Sequence, residues 1–342
     1  MHYRTPIDGG DHDVTKVQRK TLGDIMWSTK TVESSDPDEF VTLIRRADPK
    51  LLVTERGQFA ARGTLIDIGK LQAQRRDERL SRVLQVEVSR PGILFHTEPG
   101  PDMFLNGARI RQGEIALFSS GEAYVFRLSG PTSWGAMTLD DNDMNAVRSS
   151  YLGCRSTRMS GFSIMTPPSA TLARLRKLHA IAGNLEDFQE SPLQIEFGRE
   201  LEQSLIMAMV GGMGPADTRP DTVGRQHHQL IIRRFFEVLE AKASEPSDMQ
   251  AISEATGVSS RSLRLACQEQ LGVSPTQYML LRRMRLVRRA LRQADPDSTR
   301  VTDIATEFGF WELGRFAVKF RQIFGESPSA TLRSGTQLVA GF

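Results

Sequence analysis

Hydrophobic positions along this chain follow two different periods, and the change between them divides it. From about Thr21 to Asp140 the apolar residues come in short runs: TLIDI at 64–68, VLQVEV at 83–88, GILFH at 92–96, IALFSS at 115–120, AYVFRL at 123–128 and WGAMTL at 134–139. Several of these runs alternate apolar with polar, the period of a half-buried strand, and Gly and Pro punctuate them. Short strands with frequent turns predict a sandwich or barrel. After Pro167-Pro168 the period becomes helical. Leu172, Leu175, Leu178, His179 and Ala182 form one face; Leu193, Phe197, Leu201, Leu205 and Met209 form another. A helical hairpin over about 168–211 follows.

The last hundred residues carry one pattern twice. Ile252, Gly257, Leu263, Gly272, Ser274 and Pro275 return as Ile304, Gly309, Phe316, Gly325, Ser327 and Pro328, offset by 52 residues at first and by 53 after the turn. Each copy is therefore one supersecondary unit. In the second, Val301, Ile304, Ala305 and Phe308 give a short helix an apolar face, and Gly309 supplies the backbone freedom of a tight turn. A second helix buries Phe316, Phe320, Ile323 and Phe324; Gly325 ends it, and Pro328 opens the next element. The first copy uses Ile252 and Ala255, the turn at Gly257, Ser259 as N-cap, then Leu263, Cys267 and Leu271. Helix, glycine turn and a second helix with a free outer face is the helix-turn-helix arrangement, in which the second helix enters the DNA major groove. The units span about 249–271 and 301–324.

Between the copies, Tyr278 to Gln293 predicts a two-faced helix. Leu280, Met284, Val287 and Leu291 point inward, and Arg282, Arg285, Arg288, Arg289 and Arg292 cover the rest. Residues 229–335 hold 16 Lys or Arg against 12 Asp or Glu, whereas the whole chain is only +3. Basic charge thus sits where the repeats are, as binding to a phosphate backbone requires.

These residues carry a family resemblance. The segments IATEFGFWELGRFAVKFRQIFGESPSATLR and ISEATGVSSRSLRLACQEQLGVSPTQYM resemble the DNA-binding domain of the AraC/XylS family of bacterial transcription regulators, over about 229–335. GRFA and GESPSATLR are closer to the XylS side. The resemblance implies two recognition helices in successive major grooves, their contacts roughly 34 Å apart. Carried onto this chain, the first spans about 260–269 with Ser260, Arg261, Arg264, Leu265 and Gln268 outward. The second spans about 312–324, with Trp311, Glu312, Arg315, Val318 and Lys319 outward. Arg261, Arg264 and Arg315 are the expected base readers, since arginine grips guanine O6 and N7 with two hydrogen bonds. Lys319 and Arg321 lie further along, where phosphate contact positions without specifying. Val318 stands where the family often has Arg or Lys, and Gly314 where it often has Ser or Gln. Val318 either meets a thymine methyl or reads nothing.

The resemblance also implies an α+β chain, with a cupin-like β-barrel and its helical hairpin ahead of the all-α double helix-turn-helix domain. Expected boundaries are a disordered N-terminus at 1–20, an effector-sensing or dimerisation domain at 21–213 with its barrel at about 21–140, a linker at 214–228, the DNA-binding domain at 229–335, and a tail at 336–342. Linker status comes from GPADTRPDTVGRQHHQ, which lacks an apolar period. In relatives, helices placed like this hairpin pair two subunits; packing on their own barrel is the other reading.

Composition narrows the function. No leader with a cleavage site and no run of 18 apolar residues is present, so a cytoplasmic protein without membrane contact is expected. Cys154 and Cys267 fall in different domains and read as reduced thiols. Of six histidines only His96 lies among the strands, so no metal site and no cofactor is expected; no phosphate loop or nucleophile elbow occurs either, and catalysis is not expected. The barrel is left with sensing a small molecule. Arg62, Phe95, His96, Tyr124, Phe126, Trp134 and Met137 are candidate pocket residues, Arg62 as partner for a carboxylate. The expectation is a sequence-specific activator, an effector-responsive homodimer acting on double-stranded DNA and RNA polymerase. The alternative keeps DNA binding and makes the N-terminal domain a dimerisation module without a ligand.

Overall fold

The computed structural model describes residues 20–22, 25–41, 49–153, 160–184, 194–213, 218–220, 222–241 and 249–339. Residues 1–19 of the expected disordered N-terminus, Cys154 and Leu193 lie outside them. The N-terminal half runs β1 (Lys20–Leu22), β2 (Ile25–Ser34), a short helix α1 (Pro37–Val41), β3 (Lys50–Val53), β4 (Ala61–Ile68), β5 (Leu71–Glu78), β6 (Arg82–Val88), β7 (Gly92–His96), β8 (Met103–Leu105), β9 (Ala108–Ile110), β10 (Ile115–Phe118), β11 (Glu122–Leu128) and β12 (Thr132–Thr138). Next come α2 (Asp141–Leu152), β13 (Phe162–Met165), α3 (Ser169–Gly183), α4 (Gln194–Gly212) and β14 (Thr218–Pro220). The rest is helical: α5 (Val223–Ala241), α6 (Met249–Thr256), α7 (Ser260–Leu271), α8 (Pro275–Gln293), α9 (Val301–Glu307), α10 (Leu313–Phe324) and α11 (Pro328–Val339).

The six expected strands are β4, β6, β7, β10, β11 and β12. They belong to a nine-stranded sheet, in the order β1-β2-β4-β5-β12-β7-β10-β13-β14, and a five-stranded one, β3-β6-β11-β8-β9. The two sheets face each other across one apolar core that takes Leu94, Ala116 and Trp134 from the first and Leu84, Leu105 and Phe126 from the second. This is the cupin-like domain, with one correction: among the described residues its sheets do not close into a single barrel ladder.

Strand β5 has no counterpart among the expected elements, because its sequence, LQAQRRDE, is mostly polar. Leu71 and Ala73 face the helices behind the sheet, where they join Ile66, Phe95, Leu175 and Leu205 in a second core. The alternate positions Gln72, Gln74, Arg76 and Glu78 turn to the sandwich interior, following the period of two. The hairpin of α3 and α4 packs on this sheet through Leu172, Leu175, Leu201 and Leu205. Its packing on its own domain is therefore shown, while Phe197 and Met207 remain exposed.

The barrel also extends past its expected end near 140. β13 pairs with β10, and β14 pairs with β13. The expected linker at 214–228 accordingly contains a strand, and α5 begins inside it at Val223. A three-residue edge strand needs only backbone partners, so the lack of an apolar period hid it. The expected tail is likewise helical through Val339.

The third core belongs to the helical domain and reaches the outer face of the five-stranded sheet, since it includes Leu52 and Val83. Hydrogen bonds between the domains accompany it. Gln85 Nε2 donates to the Tyr278 hydroxyl at 2.7 Å, and Gln270 Nε2 donates to the Asn106 carbonyl at 3.0 Å. Asn106 and Gly107 both have positive φ, 46° and 74°, and turn β8 into β9 as a tight hairpin. Asp36, just before α1, and Asp38, within it, meet Arg285, Arg288 and Arg292 of α8.

Candidate nucleic-acid interface and sensory cavity

The duplicated units fold as two copies of one motif, α6–α7 and α9–α10, joined by α8. Both turn glycines adopt the left-handed backbone that other residues resist, with φ of 69° at Gly257 and 76° at Gly309. Ser259 caps α7: its Oγ accepts the Ser262 N–H at 3.1 Å. Leu263, Cys267 and Leu271 hold α7 to the core, and Phe316, Phe320 and Ile323 hold α10. One inward expectation fails. Ala255 is exposed and Thr256 is buried instead, its hydroxyl donating to the Ile252 carbonyl at 2.8 Å. That bond satisfies a polar group which the apolar period alone would have placed outside.

With the core faces committed, the expected reading faces stay open. Arg261, Arg264, Leu265 and Gln268 on α7, and Glu312, Arg315 and Val318 at α10, are exposed; Ser260 and Lys319 are half-buried. Trp311 is 74 % exposed just ahead of α10. Arg315 is not idle, because its Nη1 lies 2.7 Å from Glu312 Oε2. On an exposed face such a pair is weak and yields to a stronger partner. The two-sheet domain rests against the far end of α7, at Gln270, and against α8, so it covers neither reading face.

Between the sheets lies a cavity of about 160 Å3. Tyr124, Phe126 and Trp134 line it, as expected. The other four candidates do not, and strand alternation explains three of them. Arg62 turns to the surface beside Glu33, 3.8 Å away. Phe95 and Met137 face the helices, Phe95 stacking edge-on against His179 with ring centroids 5.1 Å apart. His96 does face inward, but it is fully buried in the core. Its Nε2 lies 3.1 Å from the Ile110 carbonyl, its Nδ1 3.3 Å from Gln112, and burial lowers its pKa.

The lining also contains Gln72 and Gln74, which were not anticipated because β5 itself was not. The deeper members of that polar row are closed off. Glu78 takes Arg82 Nε and Nη2 at 2.7 Å each and Trp134 Nε1 at 2.8 Å. Burial alone would raise the Glu78 carboxyl; the charge and hydrogen bonds of Arg82 outweigh it and hold it below the ordinary value. The Arg82 guanidinium also lies over the Phe126 ring, 4.5 Å from its centroid, which fixes the aromatic end of the cavity.

By class, this is a double helix-turn-helix DNA-binding domain joined to a cupin-like two-sheet domain. Comparison with known proteins agrees for the helical part: residues 252–334 match the model of a helix-turn-helix domain. A relative named "Probable thc operon regulatory protein", from Rhodococcus erythropolis, is 41 % identical over 104 residues, 30 % of this chain and 31 % of its own. The "XylDLEGF operon transcriptional activator" of Pseudomonas putida is 32 % identical over 107 residues, 31 % of this chain and 33 % of its own. A crystal structure of a "probable AraC family transcriptional regulator" from Rhodopseudomonas palustris is 34 % identical, covering 31 % of this chain and 96 % of that one at a TM-score of 0.29. The C-terminal domain is thus similar to those of AraC/XylS-type regulators. The match spans about a third of the curated relatives' length.

Proposed function

We propose that the protein is a sequence-specific DNA-binding regulator of transcription, acting as an activator, whose two-sheet domain binds a small-molecule effector. The observation that carries the reading is the paired helix-turn-helix geometry. One helix from each copy of the repeat turns its arginines outward, Arg261 and Arg264 on α7 and Arg315 on α10, exposed beyond the chain's own packing. Arginine at such positions reads guanine, and two helices allow one protein to read two adjacent major grooves. The names of the relatives support activation, with RNA polymerase as the partner downstream.

The cavity favours effector binding over a dimerisation module without a ligand. A purely structural sandwich gains nothing from turning Gln72 and Gln74 toward an internal space. Pairing of two copies remains part of the proposal, with exposed Tyr151, Phe197 and Met207 beside or on α4 as the supporting apolar surface. Among the described residues no helix is long and apolar enough to cross a membrane, and the proposed site of action is the cytoplasm.

Selection of bound sequences from a random duplex library tests the reading. It predicts enrichment of a motif with two conserved blocks about one helical turn apart. Recovery of duplexes with no shared sequence would overturn it.

A further inference from the structure

The cavity's free polar groups specify the kind of molecule it takes, given that it is the effector site. Two of the polar side chains around it are already committed. Trp134 Nε1 is held by Glu78, and the Tyr124 hydroxyl donates to the Gly161 carbonyl at 2.8 Å. Gln74 is different. Its Oε1 accepts from Arg76 Nε at 3.3 Å and Nη2 at 3.1 Å. A guanidinium only donates, so the amide orientation is settled: oxygen toward Arg76, the –NH2 left over. Among the described residues that –NH2 has no partner within the chain, and Gln74 lines the cavity. Arg76 is itself fully buried, and a hydrogen bond from a charged group polarises the amide into a better donor.

Size and charge narrow the class further. A cavity of about 160 Å3 is close to the roughly 150 Å3 apolar void that takes benzene. Leu65, Leu84, Leu94, Leu105, Phe126 and Trp134 supply the apolar walls. Of the charged side chains in the lining, Glu87 is exposed and alternates with the inward Leu84, Val86 and Val88, Arg90 Nη2 donates to the Lys70 carbonyl at 2.7 Å, and Asp67 faces inward beside Leu65. A carboxylate entering this apolar space would lose its water and meet the Asp67 charge.

We propose that the cavity binds a single-ring, uncharged molecule bearing a carbonyl-type acceptor, which receives a hydrogen bond from the Gln74 amide. The test is calorimetry on the full chain with three probes of matched size: acetophenone, ethylbenzene and benzoate. Acetophenone is expected to bind about five- to tenfold more tightly than ethylbenzene, the worth of one good hydrogen bond, and benzoate more weakly than either. The variant Gln74→Glu keeps an acceptor for Arg76 but removes the donor. It should erase the preference for acetophenone, with circular dichroism and the unfolding midpoint showing that the variant is folded. Tightest binding of benzoate would overturn the class while leaving the effector site standing. Equal binding of acetophenone and ethylbenzene, or a preference that survives in Gln74→Glu, would overturn the role of Gln74. Binding of none of the three at millimolar concentration would remove the effector reading itself and the proposal with it.

Discussion

Arg285 of the bridging helix places Nε 2.8 Å and Nη2 2.5 Å from a single oxygen of Asp38, a residue 247 positions earlier in the chain. Arg288 and Arg292, three and seven residues on, meet Asp36, and Arg292 also reaches Glu39 at 3.5 Å. One face of α8 is thus clasped by the carboxylates at the start of α1. The same helix carries Tyr278, Met284, Val287 and Leu291 on its buried face, so it joins the two helix-turn-helix units to the two-sheet domain. Phe40, inside α1, is buried among the strands with the Arg76 guanidinium 4.7 Å from its ring centroid, which seats the clasp in the sandwich.

Neutralising the clasp should loosen the two domains without unfolding either. In Asp36→Asn/Asp38→Asn, hydrogen exchange is expected to quicken at α1 and β3. Overall stability should fall by about 1–2 kcal/mol, as for half-buried charge-assisted bonds. Raising the salt concentration should give the parent protein part of the same change. Unaltered exchange in the double variant would mean that the apolar contacts of Leu52 and Val83, with the Gln85–Tyr278 and Gln270–Asn106 hydrogen bonds, suffice to hold the domains.

Glu78 and Arg82 form a fully buried pair, 0 % and 1 % exposed. Glu78→Gln leaves Arg82 charged in an apolar core and should cost about 3–5 kcal/mol by chemical unfolding. The pH dependence has a definite sign. The folded carboxyl lies below its usual 4.5, so its contribution is present above that value and is lost as the pH falls through the lower folded one. The parent should therefore lose stability below about pH 4.5, and Glu78→Gln should lose less over that range.

His179 makes a second pH prediction in a different window. Burial, reinforced by nearby Arg75, pushes its pKa down from 6.5 to about 4, against a hydrogen bond to the Gln74 carbonyl. The unfolded chain binds this proton more readily than the folded one. Stability from the neutral ring is therefore present above pH 6.5 and lost progressively between 6.5 and about 4. Unfolding midpoints measured at half-unit pH steps should show this decline, and His179→Gln should flatten it.

Much of the DNA-binding domain was legible because helical period, capping and turn chemistry all point the same way. Ser259, Gly257, Gly309 and Pro328 each do locally what their positions imply, and the outward residues follow from the inward ones. The sandwich was legible only where a strand shows an apolar face. Strand β5 buries Leu71 and Ala73 on one side but shows the interior Gln, Gln, Arg and Glu. Gln74 is bonded by its strand neighbour Arg76, and Glu78 by Arg82 on the next strand and Trp134 further off, so no apolar pattern announces the strand. Large apolar residues at strand positions were for the same reason only partly right as cavity candidates: Tyr124, Phe126 and Trp134 face in, Phe95 and Met137 face out. The α1 clasp was hidden as well, since five residues carry no period and their partners lie on α8.

Glu312 holds Arg315 at 2.7 Å on an exposed face, and under the proposed function it would compete with DNA for that arginine. Glu312→Ala should release that arginine and remove a negative charge facing phosphate. Affinity for a specific site is expected to rise severalfold, with a steeper dependence on salt. Weaker binding in this variant would show that Glu312 itself reads a base.

The central claim is that both recognition helices read sequence. Footprinting of DNA upstream of the protein's own and neighbouring genes, at two salt concentrations, with Arg264→Ala and Arg315→Ala beside the parent, tests it most directly. The account predicts protection across two adjacent major grooves, with each variant relaxing a different one at a cost of about 1–3 kcal/mol. Weak, steeply salt-dependent protection that neither substitution alters, with the effector-class probes present or absent, would contradict it.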